Sequence, residues 1–395
     1  MALTCRCVLL KSFFASARKY NVIKRRASAS TIFMASSPAP STSASPILCA
    51  SFNQDNSFFS VGTKDGFRIF DARTGRLCYE RAVGAFNIVE MLYSTNLLAI
   101  VGAGEQPSLS PRRLCLFNFL TGTALRELNY LTSILAVRLN KKRLIVVLQD
   151  KTYIYDLNSL VILEAIDTVP NNKGLCAFCP GSEGCYLALP ASTSKGSVLI
   201  YNTVELQSVC QIDAHHSPLA AMIFCSNGTY LATASEQGTI IRVHLVSQAT
   251  ESYSFRRGTY PSTIFSLSFA PCTEFPEALV ATSSSGSLHA FSLEPTIKQR
   301  RKSSGVIGSL IPETLSDAFE HAYHHVLHNV VPANVKSHVR IAHIVPTSSG
   351  ASGFRASIFI IAHNGYFREY TLNVVKLNEF SWSLERELNL LDTFQ

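Results

Sequence analysis

Two adjacent arginines, Arg256 and Arg257, stand between stretches rich in hydroxyl groups. Before them come His215, Thr233, Ser235, Gly238, Thr239 and Arg242; after them come Gly258, Ser283, Ser287 and His289. A guanidinium makes forked hydrogen bonds to phosphate, and hydroxyls with exposed backbone amides complete a cradle around the anion. The segment Tyr253-Ser254-Phe255-Arg256-Arg257-Gly258 reads as a strand ending at Gly258. Neighbouring side chains on a strand point to opposite sides, so the two arginines serve two pockets more easily than one. Each pocket then combines one of the paired arginines, one histidine and several hydroxyls, a chemistry suited to a doubly phosphorylated sugar head. An isolated Arg-Arg pair usually forms surface ion pairs; it is the flanking pattern that favours anion binding.

Other chemistry-bearing groups carry less. Cys176, Cys179 and Cys185 include one Cys-x-x-Cys, but no second pair or finger-spaced histidines follow. The eleven cysteines are scattered and odd in number, which fits buried thiols in a reducing compartment better than a disulfide framework. His321/His325 and His324/His328 have the spacing of metal pairs on a helix, yet no His-Glu-x-x-His arrangement completes them. A solvated, pH-responsive face is the expectation there, with no metal and no cofactor. The sequence has no Gly-x-Ser-x-Gly, no glycine-rich phosphate loop and no paired-carboxylate cluster, so a non-enzymatic protein is expected.

The elements that must hold these residues form a repeat. Seven segments read as an apolar strand, a small-residue turn and a second strand ending at Phe70, Phe117, Tyr155, Tyr201, His244, Phe291 or Tyr370. The spacings are 47, 38, 46, 43, 47 and 79 residues. Five fit one propeller blade each, and the sixth exceeds it by about 35 residues, which predicts an insertion in the sixth unit. Turns such as Lys64-Asp65-Gly66 and Asn364-Gly365 join the strands. One hairpin cannot bury both faces of its sheet, whereas units stacked around an axis can. The expectation is an all-β, seven-bladed β-propeller of degenerate WD-repeat type spanning 47–395. Closure is expected through pairing of the strand near Ile47–Phe52 with the C-terminal unit.

Composition agrees and limits the partners. Hydrophobic residues make up 47% and charged residues 16%, enough for buried strands. Seven of the basic residues lie in 1–33, ahead of Asp55, the first acidic residue; subtracting seven from the net +8 leaves +1 for the rest. Anion binding by the body must therefore be local, and nucleic acid is not expected. Residues 1–33 read either as an organelle presequence or as an upstream extension of a chain starting at Met34, and 35–46 as a disordered Ser/Pro/Ala lead-in. No run of about 18 apolar residues predicts a membrane-spanning helix.

Phe255-Arg256-Arg257-Gly258, LATASEQGTIIRV before it and SFNQDNSFFSVGTKDGFRIFD near the start resemble the PROPPIN family, the WIPI-type propellers of autophagy. The resemblance covers residue 47 to the end. It implies binding of phosphatidylinositol 3-phosphate and phosphatidylinositol 3,5-bisphosphate at two sites on neighbouring blades. His215, Thr233, Ser235, Gly238, Thr239, Arg242 and Arg256 would form the first, and Arg257, Gly258, Ser283, Ser287 and His289 the second. It also implies peripheral recruitment from the cytoplasm to preautophagosomal, endosomal and vacuolar membranes, and a lipid-transfer partner. The loop holding Ser110, Pro111, Arg112 and Arg113 is the candidate partner contact. A propeller adaptor without lipid binding is the rival reading.

The surplus maps to 294–338 and opens with Lys298-Gln299-Arg300-Arg301-Lys302. Ile311, Leu315, Phe319, Ala322, Val326 and Val330 then recur every three or four residues, predicting an amphipathic helix. Pro312-Glu313 suits its first turn. Its apolar face, with Ile311, Leu315, Phe319 and Val326, is expected to enter the membrane interface, and blade six of PROPPINs carries the corresponding inserting loop.

Overall fold

A computed structural model describes residues 46–181, 185–272, 276–293, 324–346, 353–376 and 379–392. They form seven four-stranded antiparallel sheets, each a simple meander with its strands paired in chain order. The blades cover residues 47–82, 86–129, 136–167, 177–215, 219–256, 264–327 and 337–389. All seven strand–turn–strand segments picked out by the repeat are the second and third strands of successive blades.

Burial explains why those segments were legible. Second strands are largely apolar and buried on both faces, as in Leu97–Gly102 and Ala278–Ser283, because each sheet is sandwiched between two others. Fourth strands lie outermost and are largely exposed, as in Thr123–Asn129. Among the described residues the core falls into seven apolar clusters, one between each pair of neighbouring blades. The repeat's terminal residue sits on the third strand. At Phe70, Phe117, Tyr155, Tyr201, His244 and Tyr370 the register with the fourth strand slips at that residue. A bulge there increases local twist, which turns each outer strand against its inner neighbours.

Closure differs from the expectation. Ile47–Phe52 is the first strand of blade one, paired with Phe58–Thr63, and blade seven completes its own sheet from the C-terminal segment. Blades seven and one meet through side chains. Phe59 stacks on Phe367 with centroids 4.9 Å apart, and Phe52 lies 6.5 Å from Phe359. A backbone bond from Ile47 N–H to His363 O, at 3.3 Å, joins their edges. The ring is closed by apolar packing at this seam.

The insertion is where the spacing put it, between the third and fourth strands of blade six, but its limits are narrower. His324–Leu327 is the fourth strand, paired with Leu288–Ser292, so Val326 sits opposite His289 in a sheet and not on a helix. Val330 is 2% exposed and packs between blades six and seven. Residues 328–336 carry the chain to blade seven, whose first strand is Ser337–Pro346. Val326 is thus not a membrane-inserting residue. Ile311, Leu315, Phe319 and His321 lie outside the described residues, as does the N-terminal 1–45.

Candidate functional site

The two candidate clusters occupy equivalent places one blade apart. Each is built on the hairpin joining the second and third strands: Tyr230–Ser235 to Ile240–Leu245 in blade five, and Ala278–Ser283 to Leu288–Ser292 in blade six. Both hairpins turn on a glycine in the left-handed region, Gly238 at φ +60° and Gly286 at φ +78°. Gly238 N–H donates to Ser235 O and Gly286 N–H to Ser283 O, each at 2.9 Å. A Cβ on Gly238 would lie 1.8 Å from Ser262 O, and one on Gly286 2.1 Å from Val331 O. These positions therefore need glycine for backbone conformation and for close approach.

Arg256 and Arg257 part company, although the strand expected to reach Gly258 ends at Arg256. Arg256 ends the fourth strand of blade five, Thr250–Arg256, opposite Ile240, and is exposed. Arg257, beyond that strand, is only 8% exposed. Its backbone N–H donates to Thr239 O at 2.8 Å, its Nε to Gly238 O at 2.6 Å and its Nη2 to Tyr260 O. Burial lowers the pKa of this guanidinium, and no carboxylate pairs with it among the described residues. Its charge reaches His289 and His324 of blade six. A Cβ added at Gly258 would meet nothing within 4 Å, so space is open beside Arg257.

In the first cluster His215 closes the fourth strand of blade four and reaches blade five, its Nε2 3.0 Å from Thr233 Oγ1. Thr233 Oγ1 lies 3.2 Å from His244 Nε2 as well. Thr233 is wholly buried, so its hydroxyl links two histidines and two blades. Burial first, and then Arg242, pushes both histidines down to about 4, leaving them uncharged at neutral pH. Arg242 Nη1 donates to Ala214 O at 2.6 Å, while its Nε lies 2.9 Å from Glu251 Oε2. The charges acting on His215 come from Arg242, His244 and His216, and Arg256 is not among them.

In the second cluster Ser283 and Ser287 are buried, with Ser283 Oγ 2.9 Å from Ser285 Oγ and Ser287 Oγ 3.2 Å from His328 Nδ1. His289 Nδ1 lies 2.9 Å from His324 Nε2, and the rings stack at 5.1 Å. Burial, then His324 and Arg257, pushes His289 down to about 3. The cross-strand pairing places His289 opposite Ala281, the position that Arg242 takes opposite Thr233 in blade five. His244, His324 and His328 were not assigned to these clusters from sequence. His244 was legible only as the end of a repeat, and the others required the fourth strand of blade six. Among the described residues no group of three His, Cys, Asp or Glu side chains converges to hold a metal ion.

The PROPPIN family model matches residues 46–321, more than half of the chain. The chain belongs to the PROPPIN family. It is 64% identical over 352 residues to Autophagy-related protein 18b of Arabidopsis thaliana, covering 88% of this chain and 96% of that protein. It is 34% identical to Autophagy-related protein 18 of Yarrowia lipolytica, covering 87% and 96%. Among solved structures, Hsv2 of Kluyveromyces lactis superposes with a TM-score of 0.66 at 19% identity over 87% of this chain and 99% of that one. A complex of Atg21 with a coiled coil of Atg16 contains a propeller matching with a TM-score of 0.65 at 22% identity, over 86% and 98%. These structures carry the fold; the family and the closely related sequences support a role in autophagy and make this PROPPIN a non-enzymatic propeller.

Proposed function

We propose that this PROPPIN is a phosphoinositide effector. It binds phosphatidylinositol 3-phosphate and phosphatidylinositol 3,5-bisphosphate at the two hairpin clusters and so docks on preautophagosomal, endosomal and vacuolar membranes. The observation that carries the reading is Arg257, a buried guanidinium held by carbonyls with no carboxylate partner. A buried cation without a counter-ion is costly, and a phosphate bound beside Gly258 supplies one. The buried serine hydroxyls of blade six offer further ligands to the same anion. Arg256 and Arg242 give the blade-five cluster two cationic groups. Two modest sites one blade apart reinforce each other on a membrane through effective concentration.

The run Lys298 to Lys302, in the chain between the third and fourth strands of blade six, suits an anionic surface. A protein partner, by family resemblance a lipid-transfer protein, fits the loop of blade two. There Arg112 is exposed, whereas Arg113 lies 3.6 Å from Glu127. Ser110 and Pro111 are pinned by backbone bonds from Arg113 N–H and Ile134 N–H. The solved complex of a related propeller with a coiled coil makes protein docking a parallel role. Vesicle flotation tests the lipid reading. The protein should float with vesicles containing phosphatidylinositol 3-phosphate, and Arg256→Thr with Arg257→Thr should abolish this. Unchanged flotation of the double variant would sink the reading and leave the adaptor.

A further inference from the structure

The first strands of all seven blades line a central channel with a volume of about 1400 Å³. Its wall is charged unevenly. Lys336, His338 and Arg340 stand at alternate positions along the first strand of blade seven and its approach, so all three face the channel. At about 3.3 Å per residue they form a row roughly 13 Å long. Arg138 of blade three and Glu90 of blade two line the same cavity and pair with each other, Nη1 to Oε1 at 2.7 Å. Ser51 Oγ donates to the other oxygen of Glu90 at 2.8 Å. Glu90 is therefore spent on Arg138 and Ser51.

Lys336 and Arg340 have no such partner. Among the described residues Lys336 Nζ makes no hydrogen bond or ion pair. Arg340 Nη1 donates only to the carbonyls of Leu267 and Val339, at 3.2 and 2.9 Å. Both side chains are open to water in the channel yet walled by protein. Burial lowers Lys336, and burial with Arg138 nearby lowers Arg340 to about 10, so Arg340 remains charged at neutral pH. His338 is held uncharged by burial and the cations around it, with Nε2 3.1 Å from His363 Nε2. The charges acting on these groups come from one another and from Cys49, Cys176 and His363, with no second carboxylate. Asp55, Glu277 and Lys173 line the cavity elsewhere. Lys336, Arg340 and Arg138 thus share one carboxylate on this part of the wall, where the local potential favours an anion.

We infer that the central channel is a binding site for a soluble anion carrying two or more phosphate groups, held by Lys336, His338 and Arg340 with Arg138 opposite. A single small anion cannot span the row, whereas a pyrophosphate or a phosphorylated inositol reaches Lys336 and Arg340 together. A bilayer lipid cannot enter, so this site stands apart from the hairpin clusters and does not rest on the lipid reading.

Calorimetric titration with inorganic pyrophosphate and with inositol hexakisphosphate, at fixed ionic strength, tests the assignment. Saturable one-to-one binding is expected for the Arg256→Thr, Arg257→Thr double variant, which removes anion binding at the hairpins and serves as the background for the substitutions at Lys336. Lys336→Met should weaken it tenfold or more. Because Lys336 has no partner to lose, Lys336→Met should melt at the same or a higher temperature than the unmodified protein, which separates lost binding from lost folding. Lys336→Arg should restore binding. Absence of saturable binding overturns the inference. So does binding that survives Lys336→Met, or binding that disappears in the double variant, which would assign the anion to the hairpins.

Discussion

The hairpin of blade five and the hairpin of blade six share a frame: a buried serine ending the second strand, a left-handed glycine, and a hydroxyl residue after it. They differ in charge. In blade five Arg242 is partly neutralised by Glu251, Arg256 is exposed, and the buried hydroxyl of Thr233 is taken up by His215 and His244. In blade six Arg257 is buried among carbonyls, and His289 occupies the place of Arg242. The first cluster is therefore a charge-compensated surface and the second a pocket with an unanswered cation. A repeat fixes the backbone cradle twice, and the side chains decide how strongly each copy attracts an anion.

The sharpest way to break this comparison is to remove one arginine at a time. Truncating a buried charged partner costs about 2–5 kcal/mol of binding, and tenfold in affinity is about 1.4 kcal/mol. Arg257→Thr should thus weaken vesicle binding about 100-fold. Arg256 is solvated and contributes at the lower end for a charged hydrogen bond, so Arg256→Thr should cost about tenfold. Binding isotherms on vesicles of fixed phosphoinositide content measure both. Equal losses would erase the distinction between the two clusters.

Acid tests the histidines of both. His215 and His244 are held at about 4 and His289 at about 3, all below their usual 6.5. Between those values and 6.5 the unfolded chain binds more protons than the folded one, so stability rises with pH in that window. Their contribution is fully present above about pH 6.5 and is lost as pH falls towards 4. For one uncoupled histidine the loss is about 1.4 kcal/mol per pH unit. Denaturant unfolding at pH 7 and pH 5 should differ by about 2 kcal/mol per such group, and His289→Gln should flatten the profile. A flat profile in the unmodified protein would place these rings in contact with solvent.

Thr233 sharpens the comparison from the structural side. Its hydroxyl bridges blade four to blade five, so Thr233→Val should destabilise by about 1–2 kcal/mol, leaving two buried histidines short of a partner. Thr233→Ser keeps the oxygen and should recover most of this. The position Ala281 is apolar in blade six, where His289 finds His324 instead.

These contrasts also mark what the sequence could tell. Six third strands carry an aromatic residue at the repeat position and that of blade five carries His244, and that pattern made seven blades legible because second and third strands are mostly buried. Fourth strands are exposed and variable in composition, so blade six lost its own: His324–Leu327 is too short to display alternation, and Val326 and Val330 mimic a helical spacing. What places them is non-local pairing with Leu288–Ser292 and the turn at Asn329, whose φ is +57°. Closure was misread although Asn53-Gln54-Asp55-Asn56 has turn composition, with Asn56 at φ +58°, and folds the first strand back on its own blade. The divergence of Arg256 and Arg257 was readable because the chain leads out of an extended segment, although the strand stops at Arg256. The carbonyl cage around Arg257 was not, since Gly238 and Tyr260 reach it through tertiary structure.

The smallest effect bears on the charge of the blade-five cluster. Glu251 is 43% exposed at its side chain and Arg242 24%, so their ion pair is worth about 0.2–1 kcal/mol. Glu251→Gln removes the competing carboxylate while leaving Arg242 tethered to Ala214 O. Arg242 then answers to an arriving phosphate alone, and affinity should rise two- to threefold, most clearly in an Arg257→Thr background where the blade-five cluster acts by itself. The gain should shrink as salt screens the exposed pair. A loss of affinity instead would mean that Glu251 orients Arg242 for the anion, and the two clusters would then differ in how they aim their cations as well as in how they neutralise them.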